Sequence, residues 1–302
     1  MSPLEAVSGL ALRYLSPGRM QALRSAYLTG RAKLHPLMRM VHGTFDVADL
    51  RSHIFQTVGS DFEILMVHSS VNHMVPMYSG SALDLVKMLM DYCGPTKTLV
   101  MPAFYFGDPR IGGAYATFLK QPTFNLKRMP SQMGLATELF RRMPGVVQSR
   151  HPVYRVSAYG PLARELVEGH ERTEIPSGVG SPFDFMAHRD TCILGIGKTF
   201  QVLTQAHHVE GVMGDAFPVP RGAGDGLEVT VIDGDVQVKA RLSARGPLWE
   251  FDIWKLRQIM SEERLREWRF HHVPMFTTRA ADVTSDLMAA ARLGKTLYVR
   301  PA

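Results

Sequence analysis

Thr204, His207 and Glu210, in the run Thr204-Gln205-Ala206-His207-His208-Val209-Glu210, stand three residues apart. On a helix that spacing puts all three on one face. An imidazole titrates near neutrality and can take a proton from a nucleophile as a new bond forms. A carboxylate one turn away fixes the ring's tautomer and favours the imidazolium that results. The same spacing also describes an ordinary surface pair worth roughly a few tenths of a kcal/mol, so the rest of the chain must supply the context. His208 falls on another face and reads as a bystander.

The chain has 302 residues, 45% hydrophobic and 21% charged, the composition of a globular protein able to bury a large core. Cys93 and Cys192 lack the spacing of a metal or redox pair and read as buried, reduced side chains. Reduced cysteines suggest the cytoplasm; no apolar run approaches ~18 residues and no signal-peptide core precedes the scattered arginines.

The net charge of +6 lies mostly within residues 1–45, where Arg13, Arg19, Arg24, Arg31, Lys33 and Arg39 face Glu5 alone. The nearly neutral remainder is no electrostatic footprint for nucleic acid, and no nucleic-acid partner is expected. Residues 1–45 form a basic amphipathic extension in which Leu10, Leu12, Leu15, Leu23 and Leu28 could face an acidic membrane surface. They could equally pack against the body or a second subunit in a homodimer, with Pro17-Gly18 dividing the extension into two short helices.

Residues 46–302 read as one catalytic domain of α/β class: a layered α/β/α arrangement with a central mixed sheet and a C-terminal antiparallel hairpin. Glu63–Val67, Thr98–Met101 and Cys192–Ile196 have the length and apolar continuity of buried strands. Leucine, valine and methionine at helical spacing between Gly80 and Tyr92, stopped by Gly94-Pro95, make the first two a βαβ crossover. Further helices are expected over Met133–Met143, Pro161–Glu168 and Leu248–Trp268. Leu227–Ile232 and Val236–Ala240 alternate around Asp233-Gly234 as a hairpin, and Thr296–Val299 closes the strand list.

The first strand runs into His68-Ser69-Ser70, a loop at a sheet's C-terminal edge able to bind polar ligand groups or to serve as a plain turn. The second runs into Pro102-Ala103-Phe104-Tyr105-Phe106-Gly107-Asp108-Pro109. Its aromatics could line a slot with Asp108 at the rim, although an aspartate before proline is also a turn former.

In order and spacing, Val67-His68-Ser69-Ser70, Gly94-Pro95 with Thr98-Leu99-Val100-Met101-Pro102, Ser149 with His151-Pro152, Gly180-Ser181-Pro182, Leu194-Gly195-Ile196-Gly197 and Thr204-x-x-His207-x-x-Glu210 resemble the aminoglycoside 3-N-acetyltransferase, or antibiotic N-acetyltransferase, family. The resemblance covers about Ile64 to Pro220. It implies acyl transfer from acetyl-CoA, or another acyl-CoA, to a primary amine of an amino sugar, with no metal. It further implies that His207 is the general base oriented by Glu210, that Asp108 holds the acceptor amine, and that His68, Ser69, Ser70, Ser149 and His151 line the coenzyme A arm. Thr204, or backbone N–H groups near Ser69 and Ser70, would stabilise the oxyanion. Tyr105 and Glu250 are candidate substrate contacts.

The chain departs from the family pattern in Lys97-Thr98-Leu99 and in lacking an acidic-His-Cys signature after the Asp233-Gly234 hairpin, where Glu250 is the stand-in. Residues 1–45 and Arg110 to Arg128 read as additions. The slightly positive body suggests a phosphate- or nucleotide-linked amino sugar as acceptor, with a polycationic aminoglycoside as the alternative. A third reading is an inactive member acting as a membrane-associated scaffold. A metallohydrolase reading is disfavoured, since no His-Glu-x-x-His occurs, and a serine hydrolase is weaker still without Gly-x-Ser-x-Gly; metal analysis of the purified protein tests the first.

Overall fold

The computed structural model describes residues 33–244 and 246–301. The five leucines of the expected amphipathic extension lie outside the described residues. Within them the chain begins with α1 (His35–His42), a helix with no buried side chain.

Next come α2 (Val47–Val58), β1 (Ile64–Ser69), α3 (Ala82–Cys93) and β2 (Thr98–Pro102). Both long helices start at reciprocal capping boxes, Asp46 with Asp49 and Ser81 with Asp84, in which each side chain satisfies a backbone N–H that the helix leaves open. β1 and β2 pair in parallel, so this segment is the expected βαβ crossover. β3 (Thr123–Asn125), α4 (Leu135–Phe140), β4 (Val147–Gln148), β5 (Val156–Tyr159), α5 (Ala163–Val167), α6 (Pro182–Ala187), β6 (Thr191–Ile196) and α7 (His208–Met213) follow. The last part comprises the hairpin β7 (Leu227–Asp233) and β8 (Val236–Leu242), then β9 (Glu250–Phe251), α8 (Leu256–Ile259), β10 (Arg266–Phe270), β11 (Val273–Arg279), α9 (Ala280–Arg292) and β12 (Tyr298–Val299).

Seven strands make one mixed sheet in the order β10-β11-β6-β1-β2-β5-β4. β6, β1 and β2 are parallel at its centre, flanked by antiparallel β11 and β5. Alternate residues of β1 enter two separate cores. Ile64 and Met66 pack with side chains of α5, α6 and α9, whereas Leu65 and Val67 pack with α2, α3 and α4. Burial on both faces is why these strands read as unbroken apolar runs. β7 and β8 turn at Gly234, whose φ of 62° suits the two-residue turn, and pair with β3 in a separate three-stranded sheet.

The helix expected over Leu248–Trp268 is corrected. That stretch holds β9, the single turn α8 and β10, because Phe251 and Trp268 are claimed by strand partners Tyr298 and Met275. Long-range pairing of this kind overrides local helix preference. The helix instead lies at α9, where Ala280, Val283, Leu287 and Ala291 form a buried stripe.

β1 has β2 on one side and β6 on the other, so the chain's crossovers diverge there. Open α/β sheets bind ligands beyond the carboxyl ends of strands at such a point. One row across the sheet prepares it. His68 of β1 is in register with Gly195 of β6, and Gly195 with Phe276 of β11. Lacking a Cβ, Gly195 leaves room for the Phe276 ring, which lies stacked beside His68 at 6.5 Å. In Gly195→Ala the added methyl would overlap that fully buried ring. We expect a destabilisation of about 1–3 kcal/mol, read as a lower urea midpoint; an unchanged midpoint would show that the ring yields freely.

Candidate active site

Beyond the ends of β1 and β6 lies a cavity of about 230 Å³, lined by His68, Phe104, Phe106, Met133, Tyr154, Gln201, Val202, Leu203, Thr204, His207 and Phe251. Residues Thr204–His207 form a 3-10 turn that runs directly into α7. Side chains three apart eclipse in such a turn, which accounts for Thr204 and His207 sharing the cavity wall. Glu210, one α-helical turn further, is buried behind them at 7% exposure.

His207 Nδ1 lies 2.9 Å from Glu210 Oε1. A carboxylate only accepts, so Nδ1–H is the donor and the ring's lone pair sits on Nε2. The Tyr298 hydroxyl donates to the same oxygen at 2.5 Å, and Arg221 Nη2 donates to the Glu210 carbonyl at 3.1 Å and stands 3.9 Å from Oε2. Burial first, and then the adjacent carboxylate, push the Tyr298 phenol far above its ordinary range. The Phe251 ring lies over His207 with centroids 4.4 Å apart. His208 faces away, its Nδ1 donating to the Ser177 carbonyl at 2.6 Å, while the Ser177 hydroxyl donates to the His207 carbonyl at 3.0 Å.

His68 forms part of the cavity wall. Burial, reinforced by the charge of Lys198, lowers its pKa to about 4, so the imidazole is neutral at neutral pH. Ser69 follows on the opposite face of β1, its buried Oγ without a hydrogen-bond partner. Ser70 N–H is already donated to the Ile196 carbonyl at 2.9 Å.

Besides Ser69, Ser70 and Glu210, five residues singled out from sequence stand away from the wall. Ser149 and His151 are fully buried. Ser149 Oγ accepts from Val156 N at 2.9 Å and pairs with His170 Nδ1 at 2.8 Å, while His151 Nδ1 accepts from the N–H groups of Val153 and Tyr154. They fix the turn that delivers Tyr154 to the cavity. Asp108 closes a turn by accepting from Arg110 N at 2.9 Å, and its carboxylate binds the Arg110 guanidinium at 2.6 Å, which holds it at about 2. Tyr105 packs against Phe118 and Phe124, because in the extended chain after β2 it points opposite to Phe104 and Phe106. Glu250 is turned outward by the same alternation that puts Phe251 on His207.

Sequence reasoning missed Tyr154, Gln201, Phe251 and Tyr298. A local signal existed for Phe104 and Phe106 as aromatics after a strand, but none for Phe251 or Tyr298, which arrive through long-range pairing. Among the described residues, no three His, Cys, Asp or Glu side chains converge as a metal site, and no helix is long and apolar enough to cross a membrane.

His68 and His170 are both buried and lowered to about 4, chiefly by burial. Unfolded, each protonates at its ordinary value of 6.5. Between these values the unfolded chain binds more protons, so stability is full above about 6.5 and is lost as pH falls toward about 4. We expect unfolding free energy to drop by roughly 1–3 kcal/mol from pH 6.5 to 5, measured by urea titration; a flat profile would contradict neutral burial of these rings.

Residues 66–290 match the family model described as aminoglycoside 3-N-acetyltransferase. Over 158 residues the chain is 27% identical to the SPbeta prophage-derived aminoglycoside N(3')-acetyltransferase-like protein YokD of Bacillus subtilis (strain 168), covering 48% of this chain and 57% of that protein. Over 159 residues it is 36% identical to aminoglycoside N(3)-acetyltransferase VIII of Streptomyces fradiae, covering 49% and 54% respectively. The chain thus spans little more than half the length of these curated relatives. Among solved structures, aminoglycoside acetyltransferase AAC(3)-Xa superposes with a TM-score of 0.68 at 20% identity, covering 88% of this chain and 99% of that one. AAC-IIIb, solved as a binary complex with CoASH, gives 0.66 at 18% identity, covering 85% and 100%. These two likenesses establish the shared fold. Because the family match takes in every residue lining the cavity and the His207–Glu210 pair, the chain belongs to the aminoglycoside 3-N-acetyltransferase family.

Proposed function

We propose that the chain is an acyl-CoA-dependent N-acyltransferase that moves an acetyl group from coenzyme A to a primary amine of an amino sugar, with an aminoglycoside as acceptor. The observation that carries this reading is the His207 ring on the cavity wall, bound through Nδ1 to a buried carboxylate and keeping its lone pair on Nε2. An ammonium ion has no lone pair, so the acceptor must lose a proton before or during attack. His207 Nε2 receives that proton, and Glu210 compensates the charge that appears on the ring. The thioester supplies an activated carbonyl whose C–S bond breaks as the C–N bond forms; His207 hands the proton it took to the departing thiolate, and the second proton of the acylated nitrogen is released to solvent.

Thr204 is the donor we assign to the developing oxyanion. Its hydroxyl makes only a long bond of 3.4 Å to the Val202 carbonyl, whereas the Ser70 N–H is spent within the fold. Phe104, Phe106 and Met133 keep water from the reacting groups. Neutral His68, with Ser70 beyond it, is assigned to the coenzyme A arm. Ser149 and His151 act one step back, through the placement of Tyr154, and Asp108 would reach an acceptor amine only on release from Arg110. At about 230 Å³ the cavity is smaller than a site that encloses a drug-sized molecule. It suits the reacting ends of two substrates.

The names of the curated relatives support an aminoglycoside. One observation favours the second reading, a phosphate- or nucleotide-linked amino sugar: none of the cavity-lining side chains is a carboxylate, and ammonium groups withdrawn from water need anionic partners. A panel of both acceptor classes with acetyl-CoA, followed by thiol release, discriminates them. We expect aminoglycoside turnover at least equal to that on nucleotide-linked amino sugars; the reverse order supports the second acceptor, and no thiol release from folded protein with any acyl-CoA supports the inactive-scaffold reading.

In the same assay His207→Ala should lower turnover by about 100-fold or more, with coenzyme A affinity nearly unchanged by calorimetric titration. Undiminished turnover would remove His207 from the mechanism.

A further inference from the structure

Glu210 is engaged more heavily than a carboxylate that merely orients a base requires. Its Oε1 accepts twice, from His207 Nδ1 at 2.9 Å and from the Tyr298 hydroxyl at 2.5 Å. Tyr298 is buried and lies beyond the residues that match the family model. It is held from two sides: Tyr298 pairs with Phe251 in the β9–β12 ladder, their rings 5.2 Å apart, and Lys255 Nζ donates to the Tyr298 carbonyl at 2.9 Å. One two-residue ladder therefore delivers both the ring that covers His207 and the phenol that grips its carboxylate. The other charged or titratable groups facing Glu210 are Arg221 and, across the cavity wall, Tyr154.

We propose that Tyr298 is a positioning residue that, by donating to the same Glu210 oxygen as His207, holds the carboxylate in place and limits how strongly it retains a proton on the His207 ring. The proposal rests on the reading of His207 as the base. A donor bound to a carboxylate oxygen draws off part of the negative charge that a second donor would feel. With the phenol in place, Glu210 still aligns Nδ1 but shares the charge of that oxygen between two donors. Without the phenol, the same oxygen serves His207 alone and the imidazolium gains stability.

The test is a titration of the His207 ring by NMR in ring-labelled protein without substrate, comparing the natural chain with Tyr298→Phe. The midpoint should rise by about half a pH unit, and the acid limb of kcat/KM should move upward with it while KM for acetyl-CoA stays unchanged. Site-specific replacement of Tyr298 by 3-fluorotyrosine, a more acidic donor of nearly the same shape, should shift the midpoint downward. It decides the question if circular dichroism shows Tyr298→Phe to be unfolded. Midpoints that stay within 0.1 unit, or move in the opposite sense, overturn the proposal. A midpoint that moves as stated in protein releasing no thiol from any acyl-CoA would sustain the coupling and overturn the acyltransferase reading, so the two failures are distinguishable.

Discussion

A carboxylate taken out of water at the edge of a protein core must be met by donors, and most of the site's construction follows from meeting that demand at Glu210. Its partners arrive from separate parts of the chain: His207 from the 3-10 turn after β6, Arg221 from the segment after α7, and Tyr298 from the C-terminal strand. Each donor is oriented in return. The imidazole has its tautomer fixed, the phenol is tied to β9 through the ladder, and the guanidinium anchors the chain leaving α7 at the Glu210 carbonyl. Loss of any one leaves the same buried carboxylate with fewer donors, so a change at one partner is felt by the others.

The parallel strands supply the platform on which this unit stands. β6 must leave the sheet immediately beside the loop that follows β1, and Gly197 makes this possible: its φ is 67°, and a Cβ there would collide with the Ser70 carbonyl. Gly195, one turn of the pleat earlier, makes room for Phe276 beside His68. A glycine within β6 and another just past its end thus set how closely the ring of His68 and the turn bearing Thr204 and His207 approach each other. The aromatic wall opposite depends on Arg155, fully buried, whose guanidinium donates to the carbonyls of Ala103, Leu126 and Met129 and so ties the segment leading into Phe104 to the chain beyond β3.

What was legible in the sequence was what is encoded locally. The three central strands, the βαβ crossover and the Asp233-Gly234 hairpin carry their own periodicity and stop signals, and the His207–Glu210 contact spans one helical turn. Contacts made across the sheet left no such trace: Tyr298 reaches Glu210 from 88 residues away, and Phe251 sits in a stretch whose charge pattern suggested a helix. Choosing Tyr105 over its neighbours failed on parity alone, since in extended chain alternate side chains point to opposite sides and the register was not fixed until β2 paired with β5. Asp108 carried two meanings in sequence, substrate ligand and turn former. Its bonds to Arg110 give the second a structural basis.

The polarity of the cavity bears directly on the chemistry proposed for it. A carboxylate beside the reacting nitrogen would hold the amine as ammonium and oppose the proton transfer that attack requires. A wall of Phe104, Phe106, Tyr154 and Phe251 with a neutral His68 does the reverse: it penalises the charged amine by desolvation and favours the free base near His207. The same aromatic faces attract cationic groups held just outside the reacting position, through the ring quadrupole. Under the proposed reading, an acceptor bearing several amines would be drawn in by the rings and would surrender a proton from the one amine that enters, so the lack of carboxylates on the wall is compatible with an aminoglycoside, with the negative charge of Glu210 set against His207.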